Sequence, residues 1–327
     1  MSIASVFGFN PKPKVMVFFT TYRCNSRCIM CHIWEKQKDS PELSLGQIGR
    51  LFGDRLLNSN LEIVNITGGE PTLRRDLTEI VKVLIGTCKR LRRIDIPTNG
   101  INSECVIDQI ERILAILNPT PVKLSVTVSM DGTGKVYEEV RGVPDIFNKA
   151  DKTLSELKKL GKLYPYLSLG INTTFSKVNI GGLEDIRAYA KRKGVGINFT
   201  PAAISEIGVE SGKKQELFEM WSEEKGEAIR FFEKLVGAGE VDPEYARFVI
   251  NWLRGGKRNA GCTFRRGEAF LLEPSGDIYL CGNFKEFFIG NIIEDKFSDC
   301  WVKVKKIPKS LWKYCETCVS NCYLDEA

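Results

Sequence analysis

Six short runs rich in β-branched and aromatic residues, at 15–20, 61–67, 93–98, 123–129, 167–174 and 196–200, recur along the first part of the chain, and each reads as a buried strand. Segments with helical spacing separate them, at 44–57, 77–88, 104–117, 146–160 and 183–193. Ser44 followed by Gln47 has the form of a capping box at the head of the first of these. Strict strand–helix alternation leaves few folds open. Parallel strands need long crossovers, and such crossovers are right-handed, so repeated units wind the sheet around an axis. Six units are two short of the eight that close a barrel. The expected fold is therefore α/β, a partial (βα)6 barrel left open on one side.

After Pro201 the pattern changes. Residues 213–236 and 242–253 have helical spacing, a Gly- and Arg-rich joint follows at 255–261, and the tail is rich in cysteine. The expected units are a barrel over 1–204, a helical connection over 205–258 and a Cys-rich extension over 259–327. Apolar runs such as 15–19 fall far short of the roughly 18 residues that a membrane span needs, and no signal segment opens the chain, so no membrane span and a cytoplasmic location are expected. The net charge of +6 is dispersed and no nucleic-acid-binding motif accompanies it, which leaves a solvated surface and no nucleic-acid partner. Eleven cysteines in a reducing compartment point to metal or redox chemistry rather than to disulfides. The single histidine, His32, leaves little room for a mixed Cys/His zinc site or for histidine acid–base catalysis.

Directly after the first strand, Cys24, Cys28 and Cys31 place three thiols in one tight loop. A cubane iron-sulfur cluster usually takes four cysteines, so three would leave one iron with an exchangeable position for a small molecule. A zinc knuckle, or a redox dithiol at Cys28 and Cys31, competes with that reading. The second strand ends in Gly68-Gly69-Glu70-Pro71, where the glycines allow close backbone approach and Glu70 offers a carboxylate to a cation. The third ends in Thr98-Asn99-Gly100, the fourth in Ser129-Met130-Asp131-Gly132, and the fifth carries Asn172 and Thr174. In parallel α/β barrels these strand ends share one face, where ligands collect.

The spacing of Cys24, Cys28 and Cys31, with Met30 before the third, resembles the signature of the radical S-adenosylmethionine (SAM) superfamily, and Gly68-Gly69-Glu70-Pro71 resembles its Gly-Gly-Glu-Pro motif. The resemblance implies that a 4Fe-4S cluster binds SAM through its unique iron and that reductive cleavage yields a 5′-deoxyadenosyl radical, which abstracts hydrogen from substrate. It also implies that Gly68, Gly69, Glu70 and Pro71 meet the methionine amino group, with Asn99 at the neighbouring strand end. Ser129 and Asn172 would meet the ribose or methionine parts, and Arg141 the carboxylate. His32 and Trp34 would flank the adenine or simply pack. A one-electron donor such as flavodoxin or ferredoxin follows from the same chemistry.

Cys262, the 273–281 hairpin ending in Cys281, and then Cys315, Cys318 and Cys322 resemble the auxiliary-cluster extension called SPASM or its shorter twitch form. Fewer cysteines stand here than in the full extension. The resemblance therefore implies one auxiliary 4Fe-4S cluster on Cys262, Cys281 and two of Cys315, Cys318 and Cys322, with a zinc ion on the last three as the alternative. Cys300 reads as core, and Cys88 and Cys105 as inert buried thiols. Gly282 stands where sulfatase-maturing relatives carry an aspartate base, which speaks against that activity. The weak candidates for a substrate acid or base are Asp131, Tyr137 and Glu268. A peptide or a small polyol-like metabolite is the expected substrate, oxidised or crosslinked. The lack of room for a leader-binding domain ahead of Val15 weighs slightly against a peptide. A noncatalytic iron-sulfur or zinc sensor or electron carrier is the second reading, against which the strand-end motifs stand.

Overall fold

The computed structural model describes residues 11–36, 41–203, 205–207, 215–216 and 219–320. Strands β1 (Val15–Thr21), β2 (Ile63–Gly68), β3 (Arg93–Thr98), β4 (Lys123–Ser129), β5 (Leu167–Phe175) and β6 (Gly196–Pro201) form where the sequence places them, in parallel and in consecutive order. Helices α1 (Leu45–Gly53), α2 (Arg55–Asn58), α3 (Leu77–Thr87), α4 (Ser103–Leu117), α5 (Gly134–Arg141), α6 (Ile146–Leu163) and α7 (Leu183–Lys193) make the crossovers. The sheet does not close on itself, as six units alone require.

The helix expected over 44–57 is two helices. Ser44 and Gln47 do form a reciprocal capping box on α1, but Asp54 adopts an extended backbone and its carboxylate caps α2, which interrupts the run. Helix α5 was not anticipated. Its sequence is short and polar, and only Tyr137 and Val140 are buried. Of the segment expected to be helical over 213–236, the part from Ser222 on forms α8 (Ser222–Gly237), followed by α9 (Pro243–Leu253).

The largest departure lies beyond residue 259. Strand β7 (Ala269–Leu272) pairs in parallel with β1, with Val15 opposite Ala269, and β8 (Asp277–Tyr279) and β9 (Phe288–Asn291) follow antiparallel, so the sheet has nine strands in the order β6-β5-β4-β3-β2-β1-β7-β8-β9. The β7–β8 turn falls where expected, with Gly276 at φ +91°. Short helix α10 (Phe297–Val302) covers this end, and Phe270, Phe297 and Trp301 pack as one aromatic group.

Register and alternation sort the two faces of the sheet. Met16, Phe18, Val64, Ile66, Ile94, Ile96, Leu124, Val126, Val128 and Ile171 share one face and are buried with the helices in the main core. Asn65, Asp95, Ser125, Thr127, Ser129 and Asn172 share the other, which is polar and only half-buried. Over β3 to β5 the concave side of the open barrel is thus a wettable surface, whereas at β1 and β7 the same face carries the buried Val15, Phe19, Ala269 and Leu271. No described helix is long and apolar enough to cross a membrane.

Phe270 is fully buried where the sheet continues past β1. Phe270→Ala is expected to destabilise the protein by about 3–5 kcal/mol, measured by chemical denaturation.

Candidate active site

The cysteine loop leaves β1 at Thr21 and is held from three directions. The first is backbone. The Gly69 N–H donates to the Thr21 carbonyl and the Glu70 N–H to the Arg23 carbonyl, each at 2.8 Å, so the end of β2 lies against the first residues of the loop. A β-carbon on Gly68 would come within 2.2 Å of the Thr21 oxygen, and one on Gly69 within 2.2 Å of the Arg23 oxygen; Gly68 also has φ +125°. No side chain fits at either position.

The second is the buried carboxylate of Glu70. Its Oε1 accepts from Thr72 Oγ1 at 2.6 Å and Thr98 Oγ1 at 2.9 Å, and its Oε2 accepts from the Asn99 N–H at 2.7 Å. Burial pushes its pKa up against the pull of these bonds. Both oxygens are therefore engaged with the ends of β2 and β3 rather than held out towards a ligand. Asn99, fixed in this way, donates from Nδ2 to Asn25 Oδ1 at 2.7 Å and lies 3.9 Å from Cys24 Sγ.

The third is α5. Its last carbonyls accept from the loop: Val140 O from the Ile29 N–H at 3.0 Å, and Arg141 O from the Arg27 N–H at 2.9 Å and from Ser26 Oγ at 3.1 Å. Gly142, at φ +60°, ends the helix where a β-carbon would lie 2.7 Å from the Arg27 oxygen. The unanticipated helix thus serves as a clamp on the loop.

The thiols themselves meet donors. The Ser26 N–H lies 3.4 Å from Cys24 Sγ, Ser26 Oγ 3.2 Å from Cys28 Sγ, and Arg141 Nη1 3.5 Å from Cys28 Sγ. Burial pushes the Cys24 thiol up to about 11 and the Cys31 thiol up to about 12, with the neighbouring thiols raising both further. Three soft ligands converging with hydrogen-bond donors on their sulfurs fit an iron-sulfur cluster, whose binding would displace their protons.

Of the remaining expected residues, Ser129 and Asn172 are register partners on the concave face, and the Asn172 carbonyl accepts from the Met130 N–H at 3.0 Å. Pro71 opens a short turn that Glu70 caps. Asp131, ahead of α5, and Tyr137, on its buried face, are fully buried; Asp131 Oδ1 accepts from the Thr174 N–H at 2.8 Å and Tyr137 donates from its hydroxyl to the Ser129 carbonyl. Glu268 precedes β7, at the opposite end of the sheet from the loop, paired with Lys14 and Arg266. His32 is buried with Nδ1 3.0 Å from Glu35 Oε1, and Trp34 donates to the Cys31 carbonyl at 2.7 Å.

In the tail, Cys281 and Cys315 lie close to Cys262 and Cys318; burial pushes the Cys281 thiol up to about 12 and the Cys315 thiol up to about 11, and the neighbouring sulfurs contribute in the same direction. Asn283 Nδ2 lies 3.5 Å from Cys318 Sγ. Cys322 lies outside the described residues. Cys300 is buried against Gly290 and Cys88 is buried, whereas Cys105 is only half-buried and its thiol donates to the Thr72 carbonyl at 3.1 Å.

Three residues escaped the sequence reading. Arg74 is buried and donates to the Thr20 carbonyl at 2.6 Å, the Leu43 carbonyl at 2.5 Å and Asp76 Oδ1 at 2.8 Å, pinning the chain around the loop. Arg23 forms a two-pronged pair with Glu42. Glu273, just past β7 on the concave face, is hydrogen-bonded to Tyr22. An isolated charged side chain in a loop gives no sign of such burial; only the proximity of Arg74 to the Gly-Gly-Glu-Pro motif could have drawn attention to it.

Residues 18–186 match the family model described as the radical SAM superfamily. The chain belongs to that superfamily. It is accordingly a radical SAM enzyme, using a 4Fe-4S cluster and SAM. It is similar to mycofactocin maturase MftC of Mycobacterium ulcerans, 28% identical over 300 residues that cover 88% of this chain and 74% of that protein. A GTP 3′,8-cyclase of Synechocystis sp. is 31% identical over 222 residues, covering 67% of this chain and 62% of the relative. Among solved structures, anSMEcpe with bound AdoMet superposes with a TM-score of 0.65 at 17% identity, covering 93% of this chain and 88% of its own. SuiB of Streptococcus suis bound to SAM does so with 0.62 at 14%, covering 93% and 68%. Both share the open-barrel fold.

Because burial raises the Cys24 and Cys31 pKa values, little thiolate exists at neutral pH in the metal-free protein. At pH 8 their alkylation by iodoacetamide is expected to be at least about tenfold slower in the folded metal-free chain than in the unfolded one, and to accelerate as pH rises towards 11 for Cys24, read by peptide mass spectrometry. Gly69→Ala is expected to lower the iron retained after reconstitution by half or more, since the added carbon displaces the start of the loop.

Proposed function

We propose that this radical SAM enzyme is a maturase that oxidises or crosslinks a peptide, with the cluster on Cys24, Cys28 and Cys31 and one auxiliary 4Fe-4S cluster on Cys262, Cys281, Cys315 and Cys318. The observation that carries it is a continuous wall between the two thiol groups. Cys24 and Cys31 pack with Phe19, Tyr22, Leu271, Tyr279 and Val17. Val17 also packs on the buried group of Val15, Ile63, Phe264 and Ala269, against which Cys262 packs as well. A substrate on this wall would stand between the two sites, where hydrogen abstraction at one end and electron removal at the other combine into a net two-electron oxidation. When bound, the first cluster and SAM supply the radical that removes the hydrogen.

The chain's own residues would divide the remaining work. Gly68 and Gly69 bring the end of β2 against the cysteine loop, and with Glu70 and Asn99 they would set the loop that faces the methionine part of SAM. Ser129 and Asn172 are the polar groups for the ribose. Glu273, bonded to Tyr22 and near Tyr279, is the carboxylate placed to accept a proton on the wall. Asp131 and Tyr137 instead support α5, and Glu268 ties β7 to β1. A peptide is favoured over a polyol by the similarity to mycofactocin maturase and by the fold shared with SuiB, which has also been solved bound to its precursor peptide SuiA. Flavodoxin or ferredoxin is the proposed electron donor.

Among the described residues no three Cys, His, Asp or Glu side chains form a group suited to a single metal ion. After anaerobic reconstitution, wild type is expected to hold about eight iron atoms per chain and to form 5′-deoxyadenosine from SAM on reduction. Cys28→Ala and Cys318→Ala are each expected to lose about half of the iron, but only Cys28→Ala to abolish 5′-deoxyadenosine. Cys322→Ala is expected to keep the full count. Wild type that loads its clusters yet forms no 5′-deoxyadenosine would refute the proposed reaction.

A further inference from the structure

Arg141 occupies a place that binding of a cofactor carboxylate does not explain. Its backbone carbonyl holds Arg27 and Ser26 of the cysteine loop, and its side chain is turned inward, 11% exposed. Nη1 donates towards Cys28 Sγ at 3.5 Å. Nε stands 2.5 Å from Oδ2 of Asp131, a contact held by charge, since neither atom completes an aligned hydrogen bond. Asp131 has no exposed surface and is anchored in turn to the Thr174 N–H. The guanidinium also lies 5.8 Å from the Tyr137 ring, whose hydroxyl is bonded to the Ser129 carbonyl. Asp131 and Tyr137 thus fix the arginine from below, with one prong directed at a thiol of the loop.

A fixed cation that donates a hydrogen bond to a ligating sulfur favours the reduced, more negative state of an iron-sulfur centre and so raises its potential. We propose that Arg141, anchored by Asp131, is a positioning residue of the Cys24, Cys28 and Cys31 centre that sets its reduction potential through Cys28, in the absence of SAM. The proposal rests on the reading that these cysteines hold the cluster. It differs from a role confined to the SAM carboxylate, which would leave the potential of the SAM-free centre untouched. The effect needs no new step in the reaction: the same single electron enters the centre, at a different potential.

The test is a redox titration of the reconstituted full chain without SAM, followed by electron paramagnetic resonance, with the signal of this centre identified by its change when SAM is added afterwards. Arg141→Lys keeps the charge, Arg141→Gln keeps a donor without charge, and Arg141→Met keeps neither. At the potential that half-reduces wild type, the ratio of reduced to oxidised centre is expected to fall at least about tenfold in Arg141→Met, about 59 mV for one electron. Arg141→Lys should fall least and Arg141→Gln between them. If Arg141→Met fails to load, the order of Lys and Gln decides. Potentials equal to wild type in all variants that load, with only SAM affinity lowered, would overturn the proposal. No SAM-sensitive signal in wild type would instead remove the reading on which it rests.

Discussion

The pairing of Gly68 and Gly69 with Thr21 and Arg23 is the contact on which the active-site end of the molecule depends. Two backbone hydrogen bonds join the end of β2 to the start of the cysteine loop, at a separation that excludes a β-carbon on either glycine. A loop carrying three thiols must leave its sulfurs available for ligation, so side-chain packing cannot supply all of its restraint. Backbone contact solves this by using groups that every residue has. The glycines matter here for what they lack, and their conformational cost is met by the strands that precede them.

Around that contact, buried charge replaces apolar packing. Glu70 ties β2 to β3, Asp131 ties α5 to β5, and Arg74 gathers β1 and the 41–44 segment. Burying such groups is expensive unless every polar atom finds a partner, and breaking a buried pair leaves one charge stranded. The arrangement therefore gives a defined geometry rather than extra stability. That suits a loop whose sulfurs must hold positions whether or not they carry iron.

The fold was legible to a large extent because its strands are local and apolar. All six barrel strands lie within a few residues of their sequence positions, since each sets apolar, mostly β-branched residues at alternate positions against the helices. Helix α5 was not legible because it buries only Tyr137 and Val140; its purpose is to present carbonyls, which leave no mark in side-chain composition. The place of β7 was hidden for another reason. Four apolar residues at 269–272 predict a strand but not a neighbour, and the pairing with β1 joins positions over 250 residues apart. In the site, the motif residues could be read from type and spacing, but not the direction of their side chains. Glu70 turns inward to β3, and Arg141 inward to Cys28, because the alternative partners are brought there only by the completed sheet.

The insertion of β7 beside β1 also ties the two groups of cysteines to one sheet. β1 runs up to Cys24, and β7 and β8 run beside it, with Cys262 ahead of one and Cys281 just past the other. The shared strand β1 makes the distance between the groups a matter of strand length, which is stiff, rather than of linker length, which is not. Val17, at the middle of β1, faces both groups. An appended domain joined by a flexible segment would let the second centre drift relative to the first. Continuity of hydrogen bonding through β1 instead makes β7 and β8 part of the same sheet as the six barrel strands, so that Cys262 and Cys281, which flank them, keep a fixed relation to the loop that leaves β1.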